Sequence, residues 1–191
     1  MAQDRPLRAD AARNRARILE AANRQIMSRG PEAPMEAIAE DAGVAVGTLY
    51  RHFPTKQDLV RAILEARFDY MTAEAEAAAE RVAAGARALT EFTAFARLIL
   101  EGAADDLAVK TAARGLGTEP DYARHLVRVN AALERVIAAG IADGDLRPDL
   151  TVTDAHLFFT AAPIDEPAPA RDRWFALMID AFRAGAARPV G

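Results

Sequence analysis

Over residues 10–81 the apolar positions recur at helical spacing, and Gly and Pro divide them into blocks. Leu19, Ala22 and Ile26 lie at i, i+3 and i+7, which predicts a helix from near Asp10 to about Ser28, ended by Gly30-Pro31. Pro34 stands at the first turn of a second helix, where its missing N–H costs nothing, and Met35, Ile38 and Ala39 face inward. Gly43 is expected to close that helix with positive φ. Val44 and Val46 bracket the start of a third helix, Ala45–Phe53, with Val46, Leu49 and Phe53 read mainly as core, and Pro54 stops it. Thr55 and Asp58 have capping-box spacing. They head a long helix to about Arg81 whose apolar stripe is Leu59, Ile63, Ala66, Tyr70 and Ala73.

Past a break at Gly85, helices are predicted at about 87–103, 104–115, 121–141, 152–162 and 170–185. The loops between them are marked by Gly115–Pro120, Gly144–Pro148 and Pro163–Pro169. β-branched runs alternating with polar residues are absent, and no repeat shows at periods of 20–50 residues. The pattern predicts an all-α protein of about nine helices. An N-terminal three-helix domain would occupy residues 1–55, with a flexible arm at 1–9, and a helical bundle would occupy 56–191.

Composition narrows the function. Half of the 191 residues are apolar (51%), enough for a real core, and few are aromatic (6%), which suits closely packed Ala-rich helices. With no cysteine, disulfides, thiolate zinc sites and cysteine nucleophiles are all excluded. The arginine-rich N-terminus has no apolar segment of the secretory kind, and no apolar run approaches the roughly 20 residues that span a bilayer. A cytoplasmic protein without membrane partners is expected. His52, His125 and His156 are scattered without metal-ligand spacing, and no phosphate-binding glycine loop occurs. No metal, cofactor or enzymatic activity is therefore expected.

The net charge of −4 is unevenly spread. Residues 1–29 hold seven arginines against Asp4, Asp10 and Glu20, a local excess of four positive charges. That excess adjoins the segment MEAIAEDAGVAVGTLYRHFPTK, Met35–Lys56, which reads as helix, tight turn at Gly43, helix, and a new helix start. This is a helix-turn-helix, the device that lays a second helix in the DNA major groove. Val46, Gly47 and Thr48 would approach base edges. Glycine inside a helix costs about 1 kcal/mol relative to alanine, and close approach of backbone to DNA is one reason to keep it. Thr48 carries a hydroxyl and a methyl suited to a base edge. Tyr50, Arg51 and His52 supply hydrogen-bond donors for phosphates. Lys56 opposes the dipole of the helix it begins, which a nearby phosphate would rationalise.

Residues 15–64, and GTLYRHFPTKQDL (Gly47–Leu59) above all, resemble the TetR family of bacterial transcriptional repressors. The resemblance implies a DNA-binding domain of three helices, a fourth linking helix, and a C-terminal domain that dimerises and binds a small molecule. It places Val46, Gly47 and Thr48 on bases and Tyr50, His52 and Lys56 on phosphates. Pro34 stands where the family often has threonine or serine, so a hydroxyl contact to phosphate at that helix end is missing. Arg5 and Arg8 are candidates for a minor groove or phosphates.

For the effector, the resemblance and the apolar stripes together point to Phe92, Phe95, Ile99, His125, Val129, Asn130, Leu133, His156 and Phe159. The last helix carries Trp174, Phe175, Leu177, Met178, Ile179 and Phe182 over an arc too wide for one contact, so it should be buried on two sides. Phe158, Trp174, Phe175, Met178 and Phe182 are accordingly expected at a two-fold dimer interface. The sequence thus describes a homodimeric repressor, released from a palindromic double-stranded operator by a small-molecule effector. Two other readings share the fold: a ligand-independent regulator, and a protein-interaction module that has lost DNA binding.

Overall fold

The computed structural model describes residues 4–118 and 122–186, with side chains omitted at 4–9, 104–106 and 186. Among these residues there are eight α-helices: α1 (Asp4–Arg29), α2 (Met35–Ala42), α3 (Val46–His52), α4 (Lys56–Ala83), α5 (Ala88–Gly115), α6 (Ala123–Ala142), α7 (Val152–Thr160) and α8 (Ala168–Ala181). Short 3-10 turns follow α1 (Gly30–Glu32) and α8 (Ala184–Ala186), and no strand forms among the described residues. The all-α class expected from the sequence is what is seen. No described helix is long and apolar enough to cross a membrane.

Several boundaries differ from expectation; the last helix, expected over 170–185, is α8 at Ala168–Ala181. α1 begins at Asp4 rather than near Asp10, and Pro6 does not interrupt it, since in the first turn its absent N–H has no partner to lose. Residues 1–3 of the expected flexible arm, and the side chains of Arg5 and Arg8, lie outside the described residues. The break expected at 103/104 is absent, and α5 is continuous. A single interior glycine, Gly102, costs about 1 kcal/mol. Burial of Leu100, Val109, Ala112 and Ala113 along the same helix outweighs that.

The chain forms two compact units, residues 1–67 with 105–121, and 68–104 with 122–191. The first therefore runs past the boundary expected at residue 55. Its core explains why: Leu59, Val60, Ala62, Ile63 and Leu64 of α4 and Val109, Ala112 and Ala113 of α5 bury with α1, α2 and α3. α1 contributes Ile18, Ala21, Ala22 and Ile26. The expected stripe through Leu19 is turned by one residue, and Leu19 is only half-buried. In α4, Ala66, Tyr70 and Ala73 are exposed, against expectation, and Thr72, Ala75, Ala78 and Ala79 are buried instead. α4 serves one core up to Arg67 and another from Phe68, so a single stripe cannot describe it.

Thr55 and Asp58 realise the capping box. The Asp58 N–H donates to Thr55 Oγ1 (3.1 Å), and the Thr55 N–H donates to Asp58 Oδ2 (3.1 Å). The same device, Thr151 with Asp154, starts α7. Gln57 Nε2 donates to the Leu116 carbonyl (2.9 Å), tying the start of α4 to the end of α5 within the first unit.

The second unit packs around aromatic residues. Phe158 (4% exposed) has ring-centroid distances of 4.8 Å to Trp174, 5.1 Å to Phe159, 5.7 Å to Phe182 and 6.0 Å to Phe175. The loop after α6 closes this core. Arg147 N–H donates to the Phe182 carbonyl (2.9 Å), and Leu146 forms an isolated bridge with Arg183. Leu146 then seats on Gly140, where an added Cβ would lie 2.5 Å from its Cδ1 and 3.1 Å from the Cβ of Ala88. Gly140→Ala is expected to lower stability by about 1–3 kcal/mol, the usual cost of overpacking, as read by urea denaturation. An unchanged midpoint would show that Leu146 moves aside freely.

Candidate nucleic-acid interface

α2 and α3 are held at a fixed angle by a short turn. Met35, Ile38, Ala39 and Ala42 bury one face of α2, and Gly43 ends it in the left-handed region (φ +62°) that suits glycine. A Cβ at Gly43 would come within 2.4 Å of the Arg17 guanidinium, which donates to the Gly43 carbonyl at 3.2 Å. Arg24 clamps Asp41 through two hydrogen bonds (2.9 and 3.4 Å), and Gln25 adds a third at 3.2 Å. The Arg24 bond above all, and then that of Gln25, holds the Asp41 carboxyl below the usual carboxylate range. These contacts lock α2 to α1.

α3 is anchored by Leu49, which is fully buried (0% exposed), and at its end by Phe53 (4%). Val46 is exposed (39%), contrary to its reading as core, because Val44 fills the inner position at the start of the helix. That leaves Val46 available to a base. At about 100° per residue, Gly47 and Arg51 lie roughly 160° and 200° from Leu49, with Thr48 and Tyr50 about 100° to either side. The outward face of α3 is therefore Gly47 and Arg51, flanked by Thr48 and Tyr50.

Thr48, Tyr50, Arg51 and His52 have no side-chain hydrogen bond or ion pair among the described residues. His52 is half-buried, with its ring tilted against Phe53 at 6.2 Å. A Cβ built on Gly47 meets nothing within 4 Å, and its φ is not positive, so neither packing nor backbone geometry requires glycine there.

Several other cations of this unit are already engaged. Arg13 pairs with Asp10, Arg15 lies over the Phe53 ring at 5.6 Å, and Arg17 and Arg24 fasten α2. Part of the N-terminal positive charge thus builds the fold, a use that spacing along the sequence did not signal. Lys56 donates to the Ala33 carbonyl at 2.6 Å. That carbonyl gives a cation in the first turn of α4 a partner within the protein, and two further N–H donors of the ammonium stay open. Pro34 caps α2 without a side-chain hydrogen bond.

The residues expected around an effector divide. Phe92, Phe95 and Leu133 are buried core, and Ile99, Val129 and Phe159 are half-buried against it. His156 and Asn130 are brought together, Nε2 to Oδ1 at 2.9 Å. His125 is buried with both ring nitrogens engaged. Thr72 donates its hydroxyl to the Phe68 carbonyl (2.7 Å), so at 3.2 Å Nδ1 of His125 is the donor to Thr72, and Nε2 accepts from Arg124 Nε (3.1 Å). An open groove of about 380 Å³ lies elsewhere on the unit, lined by Glu134, Ile137, Ala138, Ile141, Leu150, Thr151, Val152 and Thr153. Among the described residues no cluster of His, Asp and Glu is placed to hold a metal.

Of the residues expected at a dimer interface, Phe158 and Phe175 are buried within their own chain, and Trp174, Met178 and Phe182 are half-buried against the same core. The large apolar side chains that α7 and α8 leave exposed are Leu157 (63%) and Leu177 (46%).

Comparison with known proteins decides the lineage. Residues 18–63 match the family model for bacterial regulatory proteins of the tetR family. The crystal structure of a TetR transcription regulatory protein from Mycobacterium vanbaalenii superposes with a TM-score of 0.77 at 33% identity, over 93% of this chain and 99% of that one. The chain belongs to the TetR family of transcriptional regulators. A TetR transcriptional regulator from Streptomyces coelicolor has the same architecture (TM-score 0.69, 27% identity, 88% of this chain and 98% of that one). A helix-turn-helix-type transcriptional regulator of Staphylococcus aureus is 41% identical over 64 residues, 33% of this chain. The match spans about a third of that relative's length (35%). This TetR-family protein is accordingly a transcriptional regulator and not an enzyme, and its helix-turn-helix is α2–Gly43–α3.

Proposed function

We propose that this TetR-family regulator is a cytoplasmic homodimeric repressor whose two α3 helices enter successive major grooves of a palindromic operator. A small-molecule effector bound in the second unit releases it. The observation that carries the reading is the outward face of α3. Tyr50 and Arg51 are exposed and Thr48 is half-buried beside them, none with a side-chain hydrogen bond or ion pair among the described residues, and a Cβ on Gly47 would meet nothing within 4 Å. Donors aimed at phosphates and base edges, with backbone able to approach closely, are what groove binding requires. Val46 and Thr48 would meet bases, Tyr50, His52 and the open donors of Lys56 phosphates.

The dimer is supported by the exposed Leu157 and Leu177, one on each of α7 and α8, with half-buried Trp174 and Met178 nearby in sequence. A two-fold axis would bring the same leucines together from both copies. For the effector, Ile99, Val129 and Phe159 offer apolar surface, and the Asn130–His156 pair offers a polar handle. Phe92, Phe95 and Leu133 form the wall behind them. His125, with both nitrogens engaged, would serve as wall rather than as handle. The effector acts only by binding one arrangement of the two reading heads better than the other.

The experiment is light scattering at micromolar protein, with duplex binding measured in parallel, on wild type and on the double variant Leu157→Asp, Leu177→Asp. The wild type should be a dimer. The variant should be a monomer that stays folded and binds duplex at least about tenfold more weakly, since one reading head loses the help of the other. A monomeric wild type, or a variant that remains a dimer, contradicts the assembly.

A further inference from the structure

We infer that Arg51 is a specificity-determining residue that reads the O6 and N7 edge of a guanine, rather than a phosphate contact; the inference rests on the DNA-binding reading of α3. Position is the first reason. Arg51 and Gly47 share the line of α3 farthest from its anchor Leu49, which is 0% exposed. In a helix lying in a groove, the line opposite the anchor faces the floor, where base edges are. Its flanks face the walls, where a long side chain such as that of Tyr50 meets phosphates and a short one such as that of Thr48 stays beside the outer base edges. Thr48 and Tyr50 occupy those flanks.

Freedom is the second reason. Arg51 is exposed and has no partner among the described residues, whereas nearby Arg15, Arg17, Arg24 and Lys56 are each engaged within the protein. Room is the third. Long side chains on a helix lean toward the preceding turn, so the reach of Arg51 sweeps over position 47. That position is glycine with nothing within 4 Å of a built Cβ, so no side chain there stands in the path of the guanidinium. A planar guanidinium with a fork of donors matches the two acceptors that guanine alone presents side by side in the major groove. Gly47 thereby has a second use: it clears the path of Arg51.

The test selects duplexes from a random library with full-length wild type and with Arg51→Ala. Both proteins are then titrated with the wild-type motif, and with that motif changed at each invariant guanine, over a range of salt. The wild type should select a guanine at one symmetric position of each half-site. Arg51→Ala should lose that preference alone and keep the rest of the motif. Its affinity for the intact motif should fall about ten- to hundredfold, with little loss on the motif lacking that guanine. Because no phosphate contact is removed, the slope of log affinity against log salt should not change. A loss that is equal on all sequences, with a slope shallower by about one per site, would assign Arg51 to a phosphate and overturn the inference. Retention of the guanine by Arg51→Ala overturns it as well. A folded wild type that selects no motif overturns the DNA-binding reading and the inference with it, so the two failures are distinguishable.

Discussion

Gly47→Glu is expected to abolish operator binding while leaving the free protein as stable as before, or more so. The two effects separate because they arise from different surroundings. Within the protein the position is open: a Cβ meets nothing within 4 Å. Replacing a helical glycine removes a cost of up to about 1 kcal/mol. A carboxylate in the first turn of α3, where no acidic residue now stands, favours the helix dipole by about 0.3–1 kcal/mol. On DNA the same side chain occupies the line of the helix nearest the groove floor and brings a negative charge toward phosphates. Affinity should fall by about a hundredfold or more, the scale of one lost base contact plus like-charge repulsion. Thermal melting and duplex titration on one preparation measure both. A variant that binds normally would mean that α3 does not enter a groove by this face. A variant that melts much lower would mean that Gly47 is there for folding.

The second large effect is expected at Phe158→Ala, with a loss of about 3–5 kcal/mol in stability. Phe158 is 4% exposed and sits among four aromatic rings contributed by α7, α8 and the residue that follows α8. Removing it leaves a cavity that rigid rings fill poorly. The loss comes from within one chain, so the denaturation difference between wild type and variant should be the same at low and high protein concentration. If the variant were instead as stable as wild type when dilute and weaker only in its assembly, Phe158 would be an interface residue and not part of its own core. Urea denaturation at two protein concentrations decides between these.

Local signals in the first unit were legible because each depends on residues close in sequence. Gly43 at the end of α2, the Thr55–Asp58 capping box and the Leu49–Phe53 pair are such cases, and all three are formed as the spacing requires. The helix-turn-helix follows from them. What was not legible depends on contacts across the chain. Which arginines of α1 stay available depends on where Phe53, Gly43 and Asp41 arrive in space. The stripe on α4 fails beyond Ile63 because the helix passes from one core to another at Arg67, a change that no single period encodes.

In the second unit, periodicity identified apolar faces but not what they cover. Phe158 and Phe175 were expected between subunits because α8 is apolar over a wide arc, and they pack instead on α7 and on each other. Of that arc Leu177 stays exposed, and on α7 the exposed counterpart is Leu157. His125 offered itself as a ligand contact as an isolated polar residue on an apolar stripe. Thr72, 53 positions away, and Arg124 beside it satisfy it instead. The continuous α5 shows the opposite error: Gly102 and the acidic pair Asp105-Asp106 resemble a break, yet the flanking alanines and burial farther along carry the helix through.

The central claim is that α3 reads a palindromic DNA sequence as one half of a two-fold pair. Selection of duplexes from a random library by the purified wild-type protein at moderate salt tests it most directly. The expected result is a palindromic motif whose half-site centres lie about one helical turn, 10–10.5 base pairs, or a multiple of it apart, with affinity falling steeply as salt rises. Protein that is folded and dimeric but recovers no motif, or only an unpaired half-site, would contradict the claim.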